Sequence, residues 1–189
     1  MGIYFTTFGG FVALTAWLPT YWSAYMGAGT FLAGALAGVY SISTSLFRVF
    51  GGKIADRLGG ENTTLMALLV MLGGAMLMSF SRTAGLSLAA ELFLAMGMGV
   101  GNAAVFKLVP QAVPRAVGGA AGWVGGLGAF GGFAIPLILG VMVRTRGMGG
   151  YASGFIVFVV LAIVSMIFTL VLKQAFSRKS IVSDEKAIS

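Results

Sequence analysis

Arg48 is the residue of this chain most suited to chemistry, because it lies inside a long apolar stretch. Residues 26–47 before it carry no charge, and the first acidic residue after it is Asp56. Eight helical residues span about 12 Å, so with Asp56 at a membrane surface Arg48 lies well inside a hydrocarbon core about 30 Å thick. A guanidinium at that depth is costly unless it faces a cavity or a partner. The alternative is a side chain that reaches back to the headgroups, but the depth favours a functional arginine.

Glu91 is the acidic residue of the apolar stretches, about two helical turns after Ala84. Two interpretations of it are open. The first, which we favour, is an acid at the wet rim of a cavity. The second is a possible coupling group that binds and releases protons. Glu91 is the main candidate for that role, because the sequence has no histidine.

Composition places the chain in a membrane. Of its 189 residues, 58% are hydrophobic and 9% are charged, whereas soluble domains carry about 25% charged residues. The absence of cysteine and histidine and the five acidic residues leave few catalytic or metal-ligand sets. We therefore expect no enzyme, no metal and no cofactor. The net charge of +7 is explained by membrane topology and not by nucleic-acid binding, because the basic residues lie mostly between and after apolar segments.

Six apolar segments can position these residues, and each is near the length of about 20 residues that a membrane-spanning helix needs. They are residues 2–25, 29–53, 63–80, 84–109, 114–143 and 151–173. The sequence therefore predicts an all-α membrane protein with six transmembrane helices in one domain, 1–176, and a disordered tail, 177–189. Four aromatic residues near the end of the first segment predict an interfacial belt: Trp17, Tyr21, Trp22 and Tyr25.

Lysine and arginine are unevenly distributed between the two sides that these segments define. One side holds Lys53, Arg57, Lys107, Arg115, Lys173, Arg178, Lys179 and Lys186, and the opposite side holds Arg82, Arg144 and Arg146. The positive-inside rule places the richer side, with both termini, in the cytoplasm. We expect a multi-pass protein of the cell membrane.

A polar motif, G-x-x-x-D-R-x-G-G, occupies the predicted loop between the second and third segments. It contains Gly52, Asp56, Arg57 and Gly59, and its paired glycines permit a tight turn with a positive φ. The pattern resembles the loop signature of the major facilitator superfamily, which implies a gating loop. We hypothesise that Asp56 latches the start of the fifth helix, near Arg115, where a carboxylate is favoured. The alternative is a plain solvated turn.

Glycines crowd the fourth and fifth segments. Gly122 and Gly126 are four residues apart, as are Gly128 and Gly132, and such pairs share a helical face and allow close packing. Helices of this kind also expose backbone groups that can line a substrate path, although packing is the favoured role for most of these glycines. The G-x-G-x-x-G string at 126–131 is no dinucleotide site, because it follows no strand and no acid comes after it before residue 184.

Two strings in these segments carry a family resemblance. They are G-N-A-A-V-F-K-L-V-P-Q at 101–111 and G-W-V-G-G-L-G-A-F-G-G-F-A-I-P at 122–136. Both resemble the nitrate/nitrite porter family of the major facilitator superfamily, whose eleventh helix carries a glycine-rich signature. The six segments are similar to helices seven to twelve of that family, its C-terminal half. The resemblance implies transport of nitrate or nitrite by alternating access, with proton-coupled uptake and nitrate/nitrite exchange both open.

The resemblance also implies a binding site. In that family one planar anion lies between two arginines, one from each half, with aromatic rings against its faces. Arg48 matches the arginine of the C-terminal half, Tyr4 would hydrogen-bond the anion, and Phe8 would stack on it. Further substrate-binding candidates are Asn102, Gly128 and Gly131. The planar guanidinium suits a flat oxyanion, but ordinary packing is an alternative role for Tyr4 and Phe8.

The chain departs from the family in having six segments instead of twelve. Met1 lies only three residues before Tyr4, so the first helix looks cut short and we expect a truncated fragment of a longer carrier. The expected partners are nitrate or nitrite, the lipid bilayer, and either an N-terminal six-helix half or a second copy that supplies another Arg48. The alternatives are a non-transporting membrane fragment and a carrier half for another small anion.

Overall fold

A computed structural model of the chain describes the backbone of residues 1–188 and the side chains of residues 1–177. The α-helices in these residues are α1 Gly2–Tyr4, α2 Gly10–Thr20, α3 Thr30–Leu58, α4 Gly60–Phe80, α5 Ala84–Ala112, α6 Val117–Arg146, α7 Gly149–Ser153 and α8 Ile156–Ile188. Two π-helical turns complete the set, so the predicted all-α fold class is confirmed. The side chains of the predicted tail from residue 178 onward, and residue 189 itself, lie outside the described residues, and its disorder stays a prediction.

The first helical segment, residues 2–25, joins α1 and α2 and contains both π-helical turns, Phe5–Gly9 and Tyr21–Tyr25. The backbone keeps right-handed helical angles at the joints, with φ −56° and ψ −42° at Phe5 and φ −60° and ψ −43° at Gly10. Single π-helical turns within α-helices occur frequently at functional sites. Here the first turn carries Phe8 and the second carries Trp22.

Within the described part of the chain, five helices are long and apolar enough to cross a membrane: Thr30–Leu58, Gly60–Phe80, Ala84–Ala112, Val117–Arg146 and Gly149–Ser177. The first helical segment precedes them, but its π-helical turns divide it into shorter helices. The fold is therefore that of a multi-pass membrane protein, and a sixth span stays a prediction.

The turn between α3 and α4 is shorter than the sequence predicts. Because α3 continues to Leu58 and α4 begins at Gly60, Asp56 and its motif neighbours lie in the last turns of a helix and not in a loop. Four of residues 53–58 are good helix formers, namely Lys53, Ala55, Arg57 and Leu58, and Gly59 alone links the two helices. Its φ of 84° is costly for a residue with a Cβ, so the predicted positive φ is confirmed at this glycine.

Close backbone contacts place α5 between α3 and α4. A Cβ on Gly97 of α5 would lie 2.6 Å from the backbone nitrogen of Met71 in α4, and one on Gly51 of α3 would lie 2.7 Å from the Cα of Val100. Such contacts are typical of small-residue packing between membrane helices. α5 is accordingly the most buried of the five candidate spans, and its glycines fix how near the other two helices come.

The predicted aromatic belt is wrong for two of its members. Tyr21 and Trp22 are 0% and 1% exposed, because other helices cover this part of the first segment. The Tyr21 ring packs edge-on against Phe155, with centroids 5.5 Å apart, and Trp22 donates a hydrogen bond into α5. These residues are therefore part of the protein core.

Candidate functional site

Tyr4 and Phe8 form an aromatic pair at the first π-helical turn. Their rings are parallel within 9° and their centroids are 4.9 Å apart. Phe106 of α5 meets the Tyr4 ring edge-on, also at 4.9 Å. Our sequence reasoning missed Phe106, although it belongs to the string 101–111 on which the family resemblance rests. The predicted pair thus comes together as a stack, and one face of Phe8 is covered by Tyr4.

Arg48 extends from α3 to this aromatic pair. Its side chain is exposed in this chain, and its guanidinium lies within electrostatic and hydrogen-bonding reach of the Tyr4 hydroxyl. Gly99 of α5 allows α3 to lie close enough for this contact, because a Cβ there would be 3.1 Å from the backbone nitrogen of Arg48. The structure therefore brings the predicted arginine and tyrosine together.

Gly128 and Gly131 hold α6 against the same aromatic pair. A Cβ on Gly128 would overlap the Tyr4 ring, and one on Gly131 would lie 2.8 Å from both the Cα of Gly9 and the backbone oxygen of Phe5. Both glycines are buried, so their role in the structure is to admit the first helical segment. They position Tyr4, and we give neither a direct contact with an anion.

The remaining glycines of α6 divide into two groups. Gly132 packs on the Val12 side chain, as expected for a close helix contact, whereas Gly122 and Gly126 have no other helix within 4 Å of an added Cβ in the described residues. The expected packing is therefore confirmed for the second glycine pair and wrong for the first within this chain. Gly119, Gly122 and Gly126 line a shallow depression on the surface of α6 together with Trp123 and Leu127.

Asn102 is buried, with 1% of its surface exposed, and its side-chain oxygen has no hydrogen-bond partner among the described residues. Its neighbour Gly101 packs against Thr7, whose hydroxyl is also buried and has no hydrogen-bond partner in the described part of the chain. Buried polar atoms are normally paired, so this position is unusual. Asn102 precedes Phe106 by one helical turn on α5 but is not presented on the exposed side with Arg48.

Asp56 forms an ion pair with Lys107 of α5, with the side-chain nitrogen and oxygen 2.5 Å apart. This corrects the expected latch near Arg115, because the extension of α3 to Leu58 brings Asp56 beside the end of α5. The side chains of Asp56 and Lys107 are 72% and 34% exposed. Gly52 has open space beside it and Arg57 is exposed. Among the described residues, the Asp56–Lys107 ion pair is therefore the contact that links this motif to α5.

Glu91 lies apart from the aromatic pair and is 0% exposed. The Trp22 indole nitrogen donates a hydrogen bond to Oε2 at 2.7 Å, and Oε1 has no partner among the described residues. The favoured prediction of an acid at a wet rim is wrong, because the second π-helical turn and the helices beside α5 enclose this side chain.

Together, these contacts place a cationic planar fork, a phenol hydroxyl and an aromatic ring at one location. That set can bind a small flat anion, since guanidinium and hydroxyl groups donate hydrogen bonds and the ring offers a flat contact surface. The structure describes no group of three or more residues that could hold a metal ion within residues 1–177.

Comparison with known proteins finds a family and several relatives that agree with one another. The family described as Major Facilitator Superfamily matches residues 1–136. The "Nitrite extrusion protein" of Bacillus subtilis is 36% identical over 165 residues, covering 87% of this chain and 41% of that protein. The "Probable nitrate transporter NarT" of Staphylococcus epidermidis is 30% identical over 165 residues, covering 87% and 43%. The "Probable nitrate/nitrite antiporter NarK1" of Thermus thermophilus is 32% identical over 152 residues, covering 70% and 34%.

The chain spans less than half the length of these curated relatives. Their names agree with the resemblance to nitrate/nitrite porters, which is thereby confirmed. The family match extends over most of the chain and includes Arg48, Tyr4, Phe8 and the glycine-rich part of α6. This chain belongs to the major facilitator superfamily.

Proposed function

We propose that this chain is the six-helix C-terminal half of a nitrate/nitrite carrier that works by alternating access. The observation that carries the proposal is the approach of the Arg48 guanidinium to the Tyr4 hydroxyl, beside the stack that the Tyr4 ring forms with Phe8. The names of the relatives support nitrate or nitrite as the substrate. In such carriers substrate lies between two halves that rock against each other.

The anion would be held by donors from two helices. Arg48 would donate from its planar fork, and Tyr4 would donate through its hydroxyl. Because Tyr4 already covers one face of Phe8, the anion would contact the opposite face or the ring edge. A single arginine leaves the site half built, since the family resemblance implies a second arginine from the other half.

The topology of the proposal has two parts. The first helical segment acts as the sixth span, since it follows the same apolar pattern as the five candidate spans. The excess of lysine and arginine on one side supports cytoplasmic termini and insertion in the plasma membrane. In this orientation the Asp56–Lys107 pair ties α3 to α5 at the cytoplasmic side, where it can act as a gate.

Nitrate binding to the purified chain in lipid nanodiscs tests the proposal. We expect saturable binding by the wild type and loss of binding in Arg48→Ala. Arg57→Ala is the matched control, because Arg57 is an exposed arginine of the same helix with no place in the proposed site. Equal binding by wild type and Arg48→Ala would contradict the proposal, and chloride and sulfate competition would identify a carrier for another anion.

A second candidate function is that of a membrane fragment without transport activity of its own. The observation that favours it is the length of the relatives, of which the chain spans less than half. A folded monomer that binds no nitrate would support this candidate. Saturable, Arg48-dependent binding would exclude an inert fragment and direct attention to a partner half.

A further inference from the structure

Glu91 carries a buried carboxyl group that the proposed anion site does not use. Its side chain is fully enclosed, one oxygen accepts a hydrogen bond from Trp22, and the other has no partner among the described residues. An ionised carboxylate is acceptor-only, with about four lone-pair sites, and burying a charge is costly unless it is paired. Acids inside membrane segments are accordingly rare and usually functional.

Glu91 forms no ion pair with a cation of the described residues, and Arg82, at the start of the hydroxyl row described below, donates instead to the Tyr25 hydroxyl at 3.4 Å. Two titratable groups interact with it electrostatically: Tyr21 from the first helical segment and Tyr40 from α3. On α4, the facing surface is formed by small or apolar residues, such as Gly74 beside the backbone of Ala90. The ion pair described for the chain, Lys107 with Asp56, involves neither Glu91 nor its neighbours. A permanent charge on Glu91 would therefore lack a counter-ion.

A row of hydroxyl groups leads from the start of α5 towards Glu91. Ser81 donates to the backbone oxygen of Thr83 at 3.2 Å, Ser81 and Ser87 share a hydrogen bond of 2.6 Å, and Ser87 and Tyr21 share one of 2.8 Å. Thr83 is exposed, whereas Ser81, Ser87 and Tyr21 are 0% exposed. Ser87 precedes Glu91 by one helical turn. Each hydroxyl can donate and accept a hydrogen bond, so a proton can pass between Ser81, Ser87 and Tyr21, and Tyr21 interacts electrostatically with Glu91.

We propose that Glu91 binds and releases a proton, and that it exchanges this proton with the membrane face at the start of α5 through Ser81, Ser87 and Tyr21. The step is an acid–base reaction in which the carboxylate takes a proton from water to become the neutral acid, and later returns it. This inference rests on the proposed carrier function, in whose orientation the start of α5 faces outward. It gives the anion carrier a group through which a proton gradient can act.

Tyr40 connects this proton site to the anion site. It interacts with Glu91, its ring lies 6.0 Å from that of Phe11, and Phe11 lies 6.2 Å from Phe8. The charge on Glu91 therefore acts on Tyr40, and the rings of Tyr40, Phe11 and Phe8 follow one another towards the residues proposed to hold the anion.

Infrared difference spectroscopy of the chain in nanodiscs tests the proton site. The sample is titrated over about pH 4 to 9, which includes the range of buried carboxyl groups. We expect a carbonyl band of a neutral carboxylic acid that appears on acidification and is absent in Glu91→Gln, whose amide can still accept from Trp22. Exposed carboxyl groups protonate at about pH 4 and those of this chain are common to both samples, so a band that titrates above about pH 6 and survives in Glu91→Gln would overturn the proposal. The absence of a titrating band from a buried carboxyl in the wild type would also overturn the proposal. That result does not depend on the folding of any variant.

The route is tested by the rate at which this band shifts after transfer to heavy water. Ser87→Ala should slow the shift several-fold, because it interrupts the hydroxyl row. Ser79→Ala is the matched control, since its hydroxyl bonds only to its own helix, at the backbone oxygen of Ala75. An unchanged rate in Ser87→Ala would overturn the route. Nitrate binding measured on the same samples separates the two proposals: Arg48-dependent binding without a titrating Glu91 would reject the proton site and leave the anion site standing.

Discussion

Tyr4 has two roles in the proposed anion site, and a single substitution separates them. Its ring stacks on Phe8, and its hydroxyl interacts with Arg48. Tyr4→Phe keeps the ring and removes the donor. A hydrogen bond to a charged group contributes about 1.5–3 kcal/mol, so we expect nitrate affinity to fall roughly 10- to 100-fold. Titration calorimetry would measure this change, and an affinity equal to that of the wild type would place the anion away from Tyr4.

Gly128 tests the packing that holds Tyr4 in place. A Cβ there would overlap the Tyr4 ring, whereas Gly126 has open space beside it. Overpacking typically costs about 1–3 kcal/mol, so Gly128→Ala should lower the thermal stability and weaken nitrate binding. Gly126→Ala should leave binding unchanged and raise stability by up to about 1 kcal/mol, as alanine favours a helix. Thermal unfolding of both variants in detergent provides the comparison, and equal behaviour would show that α6 does not press on Tyr4.

Sequence patterns indicate which residues could form the proposed site, but they do not indicate what surrounds these residues in the fold. Arg48 stood out because an isolated charge in an apolar stretch is costly, and Tyr4 and Phe8 followed from the family resemblance. Phe106 was missed, because one aromatic residue in an apolar helix carries no signal until a second ring is seen beside it. Glu91 was assigned to a wet rim because the covering residue, Trp22, is 69 positions away and its orientation depends on a π-helical turn that apolar periodicity does not predict.

At the scale of helices, glycine positions decide how closely α4 and α5 pack. A Cβ on Gly74 would lie 2.8 Å from the backbone nitrogen of Leu94, whereas the adjacent Gly73 has open space. Gly74→Ala should therefore separate the two helices and destabilise the fold by about 1–3 kcal/mol, while Gly73→Ala should be neutral or stabilising. Thermal unfolding of the two neighbouring variants measures the difference. Equal destabilisation by both would mean that helix contact is not the cause.

The Asp56–Lys107 pair links α3 to α5, and its exposure limits its energy. Surface ion pairs contribute about 0–1 kcal/mol, so Asp56→Asn and Lys107→Gln should each change the free energy of unfolding by less than about 1 kcal/mol. A gating role would appear instead as a shift between inward- and outward-facing states of the assembled carrier. Cysteine accessibility at the two faces, measured in Asp56→Asn, would reject the gate if it matched the wild type.

The helix ends show where sequence reasoning reaches its limit for these elements. Five of the apolar segments correspond to spanning helices, but the ends of these helices are shifted by several residues. The reason is that the polar and glycine residues of a motif such as 52–60 predict a turn without fixing its length. Here α3 includes Asp56 and Arg57, and the chain reverses at Gly59 alone. Because of this shift, Asp56 pairs with Lys107 and not with the start of the fifth helix near Arg115. The membrane fold was therefore predictable from the sequence. The ion pair was not, because it depends on whether α3 continues for one more helical turn.

At the scale of the whole molecule, the proposed anion site lies on an exposed side of the chain. Arg48 is exposed, and α6 carries an exposed surface of glycines and large apolar residues, including Trp123, Phe130 and Phe133 at 65%, 56% and 64% exposure. Exposed apolar area in a membrane protein faces lipid or another protein. The lack of side chains at Gly119, Gly122 and Gly126 allows a helix to approach closely here. Either a partner half or a second copy would complete the site.

The last prediction concerns a dimer of two copies of this chain. In such a dimer each copy would bring its Arg48 to the same anion. Two facing guanidiniums repel each other in the absence of the anion, so nitrate should strengthen a dimer of this kind. We expect light scattering from the chain in detergent to show a larger dimer fraction in nitrate than in chloride at equal ionic strength, and no such difference for Arg48→Ala. Arg57→Ala, which keeps the site arginine, should respond as the wild type does. A dimer that forms equally in both salts would rest on apolar contacts alone, and a monomer in both would leave a separate N-terminal half as the source of the second arginine.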